Sequence, residues 1–333
     1  MRAMVLDAPA PIESRPLRLV DLPVPDPGPG EIRVRVRLCG VCRTDLHVVE
    51  GDLAPQRSPI VPGHQVVGVV DALGAGCRRL AVGQRVGIAW LRATCGTCAY
   101  CRRGAENLCP AARFTGWHEH GGYAERAVVR EDFAYALPDV IADAEASPLL
   151  CAGIIGYRAL RRANIQPGCR LGLYGFGASA HIAIQVARHL GCRVFVMTRE
   201  ARHRALATTL GAEWTGGATD PPPEPLDSAV LFAPAGELVP PALAALDRGG
   251  TLALAGIYLT DVPPLDYQRH LFYERTLQSV TANTRQDGID LLRIAAEIPI
   301  RPHTVPFKLE QANDALRQLK HDGFEGAAVL QVT

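Results

Sequence analysis

The segment Gly168 to Glu200, GCRLGLYGFGASAHIAIQVARHLGCRVFVMTRE, constrains the fold more than any other in the chain. Arg170 to Tyr174 reads as a buried strand. A glycine turn follows, Gly175-Phe176-Gly177-Ala178-Ser179-Ala180. A helix then carries apolar residues at Ile182, Val186 and Leu190, and Val194 to Met197 reads as a second strand. Strand, glycine turn, helix and strand in that order are the context of a dinucleotide-binding loop. Gly175 makes the tight turn and Gly177 lets a pyrophosphate approach the backbone. Ala178 and Ser179 complete the loop, and Ala180 stands where a third glycine is usual.

Alternation of strands and helices continues beyond it. Ala229 to Ala233 is a short apolar strand, Pro240 to Leu246 suggests a helix closed by Gly250, and Thr251 to Ile257 and Leu277 to Thr281 are further strands. Continuous apolar strands imply a parallel sheet covered on both faces. Before Ala146 the pattern changes. Ile32, Val34 and Val36 alternate with arginines, Val66 to Val70 forms another strand, and Gly and Pro turns are frequent. The expected class is α/β, a doubly wound parallel sheet domain joined to a β-rich domain. A chain of 333 residues suits two domains at ~100–200 residues each.

The formal net charge of +1 excludes the basic footprint of a nucleic-acid binder. No apolar run approaches the ~20 residues of a membrane span, so no membrane partner is expected. The opening MRAMVLDAPAPIE lacks the apolar segment of a secretory signal. A cytoplasmic location and reduced thiols are therefore expected. Ten cysteines then point to metal rather than to disulfides.

Four of them crowd into TCGTCAYCRRGAENLCP, Thr94 to Pro110: Cys95, Cys98, Cys101 and Cys109. Iron–sulfur ferredoxins share the first two gaps, but their next cysteine follows after three residues, whereas here seven intervene. A tetrahedral four-cysteine zinc site fits a compact, turn-rich lobe. Four thiolates fill that coordination sphere, so such a site braces a loop and any catalysis lies elsewhere. Three other runs supply candidates: CGVCRTDLH with Cys42 and His47, IVPGHQVVG with His64, and SPLLCAGIIGYRAL with Cys151. Cys42, His64 and Cys151 together would make a zinc site with an open fourth position. Singly, His64 is more often a satisfied turn or core histidine and Cys151 more often a small buried hydrophobe.

GVCRTDLH, PGHQVVG, the four-cysteine lobe, GGYAE (Gly121 to Glu125), PLLCAGI and the glycine loop occur in one order. Together they resemble the zinc-containing medium-chain alcohol dehydrogenase family over the whole chain. The resemblance implies a GroES-like catalytic domain of residues 1–148 and 290–333, carrying the structural zinc lobe at 94–110, and a Rossmann domain of residues 149–289. It implies interconversion of alcohols with aldehydes or ketones by hydride transfer with NAD(P), two zinc ions per chain, and a homo-oligomer, dimer or tetramer. By that resemblance Cys42, His64 and Cys151 hold the catalytic zinc. Thr44 touches the substrate hydroxyl, His47 continues a proton relay, Asp45 orients His64, Arg43 approaches the cofactor pyrophosphate, and Trp90 and Leu91 line the substrate pocket. The family commonly has Glu after the ligand histidine; this chain has Gln65, which keeps the shape and drops the charge. Two other readings stay open: a zinc-dependent reductase of another carbonyl or an activated alkene, and a nucleotide-binding regulator without turnover.

Cofactor choice is read at the end of the second strand, where an NAD enzyme usually places a carboxylate for the ribose. Thr198 and Arg199 stand there, which suits the 2′-phosphate of NADP. Glu200 follows directly, and a one-residue shift would favour NAD instead.

Overall fold

The computed structural model of the chain describes residues 1–332. It divides into two compact units, Met1–Cys151 together with the segment from Ala282 onward, and Ala152–Thr281. The chain returns to the first unit at Ala282, ahead of residue 290. The helix Arg285–Glu297 explains this. Arg285 Nη2 meets Glu106 Oε2 at 2.7 Å, and Gly288 lies against the Tyr135 ring so closely that a Cβ would clash.

The first unit is built on a seven-stranded, largely antiparallel sheet. Its long central strand, Glu31–Val41, pairs with Gln65–Leu73 on one side, and Arg126–Arg130 and Ala327–Gln331 also pair along it. Ile32, Val34 and Val36 point into the core while Arg33, Arg35 and Arg37 face away, the two-residue period of a half-buried strand.

In the second unit six parallel strands form one sheet. In chain order they are Arg170–Tyr174, Arg193–Met197, Trp214–Gly216, Leu226–Leu231, Leu246–Leu254 and Thr276–Ser279. In space the order is 3-2-1-4-5-6, the doubly wound arrangement that reverses direction beside the first strand. Four successive residues of each of the first two strands are buried, as a sheet covered on both faces requires. One element differs from expectation. The helix Val239–Ala244 ends early and Gly250 lies inside the next strand. The register shifts between the Leu226–Leu246 and Ser228–Thr251 pairs, and Gly249 takes φ +74° there. That kink, not a helix end, is what the paired glycines serve. Among the described residues no helix is long and apolar enough to cross a membrane.

Candidate metal centres and nucleotide loop

Cys42 is the N-cap of the helix Arg43–Glu50. Its extended backbone places the sulfur over the first turn, where Thr44 N donates to it at 3.3 Å. Asp45 completes a capping box, its Oδ2 accepting from Cys42 N at 3.0 Å. The other oxygen, Oδ1, accepts from His64 Nδ1 at 2.8 Å and from Gly63 N at 3.2 Å. One buried carboxylate therefore orients two candidate ligands from separate segments. With its proton held on Nδ1, His64 turns the Nε2 lone pair toward Cys42 Sγ, 3.3 Å away. Gly63 adopts φ +95°, and a Cβ there would strike Tyr123 and Cys39, so the turn before His64 admits only glycine.

Cys151 lies in a π-helical turn, Leu149–Gly153, a geometry that recurs at functional sites. Just before it, Ser147 Oγ donates to Gln65 O at 2.9 Å, which ties this segment to the strand that begins after His64. The ligand atoms of Cys42, His64 and Cys151 all lie within 4.8 Å of one another. Their electrostatics are those of a set sharing too few protons. A hydrogen bond from Cys151, helped by His64 and opposed by burial, holds the Cys42 thiol well below its ordinary value. Hydrogen bonding to Cys42 and burial push the Cys151 thiol up. Burial would lower His64, but Asp45 and Cys42 outweigh it and raise the imidazole.

Cys95, Cys98, Cys101 and Cys109 converge as a second group. Their sulfurs stand 3.5 Å (Cys98–Cys101), 3.6 Å (Cys109–Cys95) and 4.0 Å (Cys95–Cys101) apart. Backbone N–H groups of Cys95, Cys98 and Cys101 point at sulfurs at 3.3–3.5 Å, favouring thiolates. Backbone bonds from Thr97 and Cys98 lower Cys95 to about 6, while burial raises Cys101 to about 11. A tetrahedral zinc with ~2.3 Å bonds to sulfur and ~2.0 Å bonds to nitrogen has S–S edges of ~3.8 Å and S–N edges of ~3.5 Å. Both donor sets fit zinc on spacing and on chemistry. The lobe would supply four ligands; Cys42, His64 and Cys151 would supply three and leave one position open.

Thr44 is buried one turn before His47 on the same helix. His47 Nδ1 lies 2.8 Å from Asp52 Oδ2, which is exposed. Sequence spacing does not single out Asp52. The signal is Gly51, whose left-handed cap (φ +88°) reverses the chain and returns Asp52 to the last helical turn. Arg43 is exposed and pairs with Asp322 at 3.0 Å. Trp90 meets the His64 ring edge-on at 4.9 Å and stacks on Phe114 (5.0 Å) and Trp117 (5.9 Å). Leu91 pairs with Phe114 across the short strands Leu91–Ala93 and Arg113–Phe114, is 1% exposed and packs in the core. The exposed part of the aromatic stack runs through Trp90, Phe114 and Trp117.

In the second unit Gly175 takes φ +86°, and a Cβ would strike Ala233 N at 2.8 Å. Gly177 is the N-cap of the helix Ala178–His189, and a Cβ there would meet nothing within 4 Å. The first glycine is demanded by packing; the second faces open space in which a phosphate can meet the helix N-terminus. Ala180 is wholly buried. Thr198 is buried after the strand Arg193–Met197, and Arg199 and Glu200 are exposed. Arg204 Nη1 donates to the carbonyls of Thr198 (2.8 Å) and Arg199 (2.6 Å), fixing that strand end.

A three-ligand centre with an open position and a dinucleotide loop, carried on one chain, define a metal-dependent dehydrogenase. Comparison with known proteins agrees. Residues 28–139 match the alcohol dehydrogenase GroES-like domain, and residues 180–297 match the zinc-binding dehydrogenase domain. The probable alcohol dehydrogenase AdhA of Mycobacterium tuberculosis (strain CDC 1551 / Oshkosh) is 54% identical over 337 residues, covering 100% of this chain and 97% of that protein. A solved NAD-dependent alcohol dehydrogenase superposes with a TM-score of 0.89 at 27% identity, covering 100% of both chains. The cobalt- and zinc-bound thermostable alcohol dehydrogenase of Pyrobaculum aerophilum also gives 0.89 at 27%, covering 100% of this chain and 99% of its own. The chain belongs to the zinc-containing medium-chain alcohol dehydrogenase family. It is an enzyme, a zinc-dependent oxidoreductase that interconverts alcohols with aldehydes or ketones by hydride transfer to or from NAD(P). A reductase of another carbonyl or an activated alkene and a nucleotide-binding regulator without turnover are not favoured.

Proposed function

We propose that Cys42, His64 and Cys151 hold the catalytic zinc and that Cys95, Cys98, Cys101 and Cys109 hold a structural one, two ions per chain. One observation carries the first assignment: three ligand atoms within 4.8 Å, two of them oriented by the same Asp45 carboxylate. Zinc in that place supplies a Lewis acid that favours the ionised form of a substrate alcohol. The surrounding residues bind, orient and move the proton. Asp45 keeps the His64 tautomer. The hydroxyl of Thr44 receives the alcohol proton, and His47, one turn along the helix, passes it toward solvent. Asp52 accepts from His47 Nδ1, which leaves Nε2 to take the incoming proton. Gln65 lies beside Cys151 as a neutral stand-in for a carboxylate and leaves the centre more positive than Glu would. Trp90, Phe114 and Trp117 form an apolar wall for the organic part of the alcohol or aldehyde and exclude water.

On the cofactor side, Gly175, Gly177, Ala178, Ser179 and Ala180 receive the pyrophosphate at the helix N-terminus, with Arg43 adding positive charge. Thr198 and Arg199 favour NADP over NAD. A cytoplasmic homo-oligomer, dimer or tetramer, completes the reading.

Metal analysis of the purified enzyme tests it. Two zinc ions per chain are expected, one in Cys42→Ser with activity abolished and the fold kept, and one in Cys98→Ser. A wild type holding one zinc, or iron, overturns the assignment. A scan of alcohols and aldehydes with both cofactors then finds the substrate.

A further inference from the structure

We infer that Cys169 and Cys192 are a redox modification site, a thiol pair that low-molecular-weight disulfides convert reversibly to an intramolecular disulfide. Neither residue belongs to the two metal-ligand clusters. Cys169 immediately precedes the strand Arg170–Tyr174, and Cys192 immediately precedes Arg193–Met197. Those strands are parallel neighbours with Arg170 opposite Arg193, and Arg193 N donates to Cys169 O at 2.9 Å. The register therefore sets the two cysteines side by side. Adjacent strands lie ~4.8 Å apart, inside the Cα separation of ~4.4–6.8 Å that a disulfide spans. Their sulfurs are already 3.3 Å apart. Rotation about the two side chains would bring the sulfurs toward the ~2.05 Å of a disulfide.

The two sulfurs share one hydrogen bond, so whichever thiol ionises is stabilised by the other. That bond with Cys192, opposed by burial, lowers Cys169 to about 7, and the same bond together with burial raises Cys192. This order favours Cys169 as the nucleophile and Cys192 as the resolving thiol. Both are buried, yet each follows an exposed glycine, Gly168 at φ +82° and Gly191 at φ +85°. The exposed Gln166 and Pro167 complete the cover, so a small opening of two surface turns admits a thin reagent. The Cys169 thiolate attacks one sulfur of the reagent; that S–S bond breaks, and the departing thiolate takes a proton. Cys192 then gives up its proton and attacks the Cys169 sulfur, releasing the second reagent thiol. Two protein thiols are oxidised, and one disulfide is reduced to two thiols.

The pair sits at the N-terminal end of its strands, whereas Gly175 and Gly177 lie at the C-terminal end. Oxidation staples positions 23 apart in sequence without touching the dinucleotide loop. It stabilises the unit by restricting its unfolded chain.

The test treats the full-length, zinc-loaded enzyme with oxidised glutathione, blocks free thiols with N-ethylmaleimide under denaturing conditions, and maps peptides without reduction. The expected result is a linked pair of peptides holding Cys169 and Cys192, separated by dithiothreitol. A rise in Tm of roughly 5 °C with unchanged kcat/KM accompanies it. Cys192→Ser should instead retain glutathione on Cys169 and show no such rise, and Cys169→Ser should leave Cys192 unmodified. Full alkylation of both cysteines in the treated wild type overturns the proposal. So does a set of cross-links confined to the metal-ligand cysteines.

Discussion

Asp45 places both of its carboxylate oxygens on other candidate site residues, one on the Cys42 backbone and one on His64. An amide cannot do both, because one of its two ends is a donor. Asp45→Asn is therefore expected to weaken zinc retention at the three-ligand centre ~10–100-fold, read as faster loss of activity and of one zinc ion to a chelator. Retention equal to wild type would remove Asp45 from the ligand-orienting role. Proton movement is tested by three neighbours. Thr44→Val should cost ~10²-fold in the rate of alcohol oxidation. His47→Ala should cost less and most at low pH, where releasing a proton is hardest, and Asp52→Asn should follow the His47 profile in milder form. Equal, negligible effects at Thr44 and His47 would end the relay assignment. His120 carries a separate, structural pH response. Burial, with Arg57 nearby, lowers its imidazole to about 4, and Val61 N donates to Nδ1 at 3.1 Å, which requires that nitrogen unprotonated. The unfolded chain protonates histidine near ~6.5. Its stabilising contribution is thus complete above about pH 6.5 and is lost as pH falls toward the folded value. His120→Asn keeps an acceptor that does not titrate, so Tm should fall less steeply over that window than in wild type; identical slopes would exclude His120. Cys42, Thr44, Asp45 and His47 were singled out by the family resemblance of one short run of sequence, and a helix start brings them together. Asp52 was not, since its role depends on how the chain folds back after Gly51.

The four-cysteine lobe is an element with almost no core of its own. Its helix Ala99–Arg102 is a single turn that buries none of its residues. Thr94 to Pro110 is held by the meeting of four sulfurs, by the backbone N–H groups that face them and by the Glu106–Arg285 ion pair. Cys98→Ser is expected to lower Tm by several degrees, on the order of 5 °C, and to open this segment to limited proteolysis, while zinc at the three-ligand centre stays. An unchanged cleavage pattern and Tm would mean that the lobe holds its shape without metal. The convergence of such a group is easily read in a sequence, because its four cysteines lie within fifteen residues of one another. The parallel strands were legible for another reason: burial on both faces leaves an uninterrupted apolar run. Their ends were less so. Gly250 reads as a helix stop in sequence but sits in a kinked strand, since glycine serves both uses and only the pairing with Leu226–Leu231 decides between them.

Across the whole molecule, the candidate metal ligands fall in the first unit and the glycine loop in the second. The convergence of Cys42, His64 and Cys151 was not legible from spacing, because three segments must fold before their ligand atoms come within 4.8 Å; resemblance supplied what spacing could not. Cofactor choice turns on the strand end in the second unit. Thr198 N donates to Gly216 O at 3.0 Å, and Arg204 clamps the carbonyls of Thr198 and Arg199. The turn is held from both sides, which fixes the direction in which residue 199 leaves the sheet. Glu200 caps the following helix without using its side chain. Two opposite charges, Arg199 and Glu200, are thus exposed in succession, one suited to a 2′-phosphate and the other to a 2′-hydroxyl. A guanidinium beside the ribose attracts the phosphate and gains little from the hydroxyl. Arg199→Ala should therefore raise KM for NADP⁺ about tenfold, the loss of one charge-assisted hydrogen bond, and leave NAD⁺ nearly unchanged. Glu200→Gln should leave NAD⁺ kinetics nearly unchanged. If the wild type uses NAD⁺ better than NADP⁺ by kcat/KM, and Glu200→Gln lowers that preference, Glu200 is the ribose partner and Arg199 is a solvated residue at a helix start.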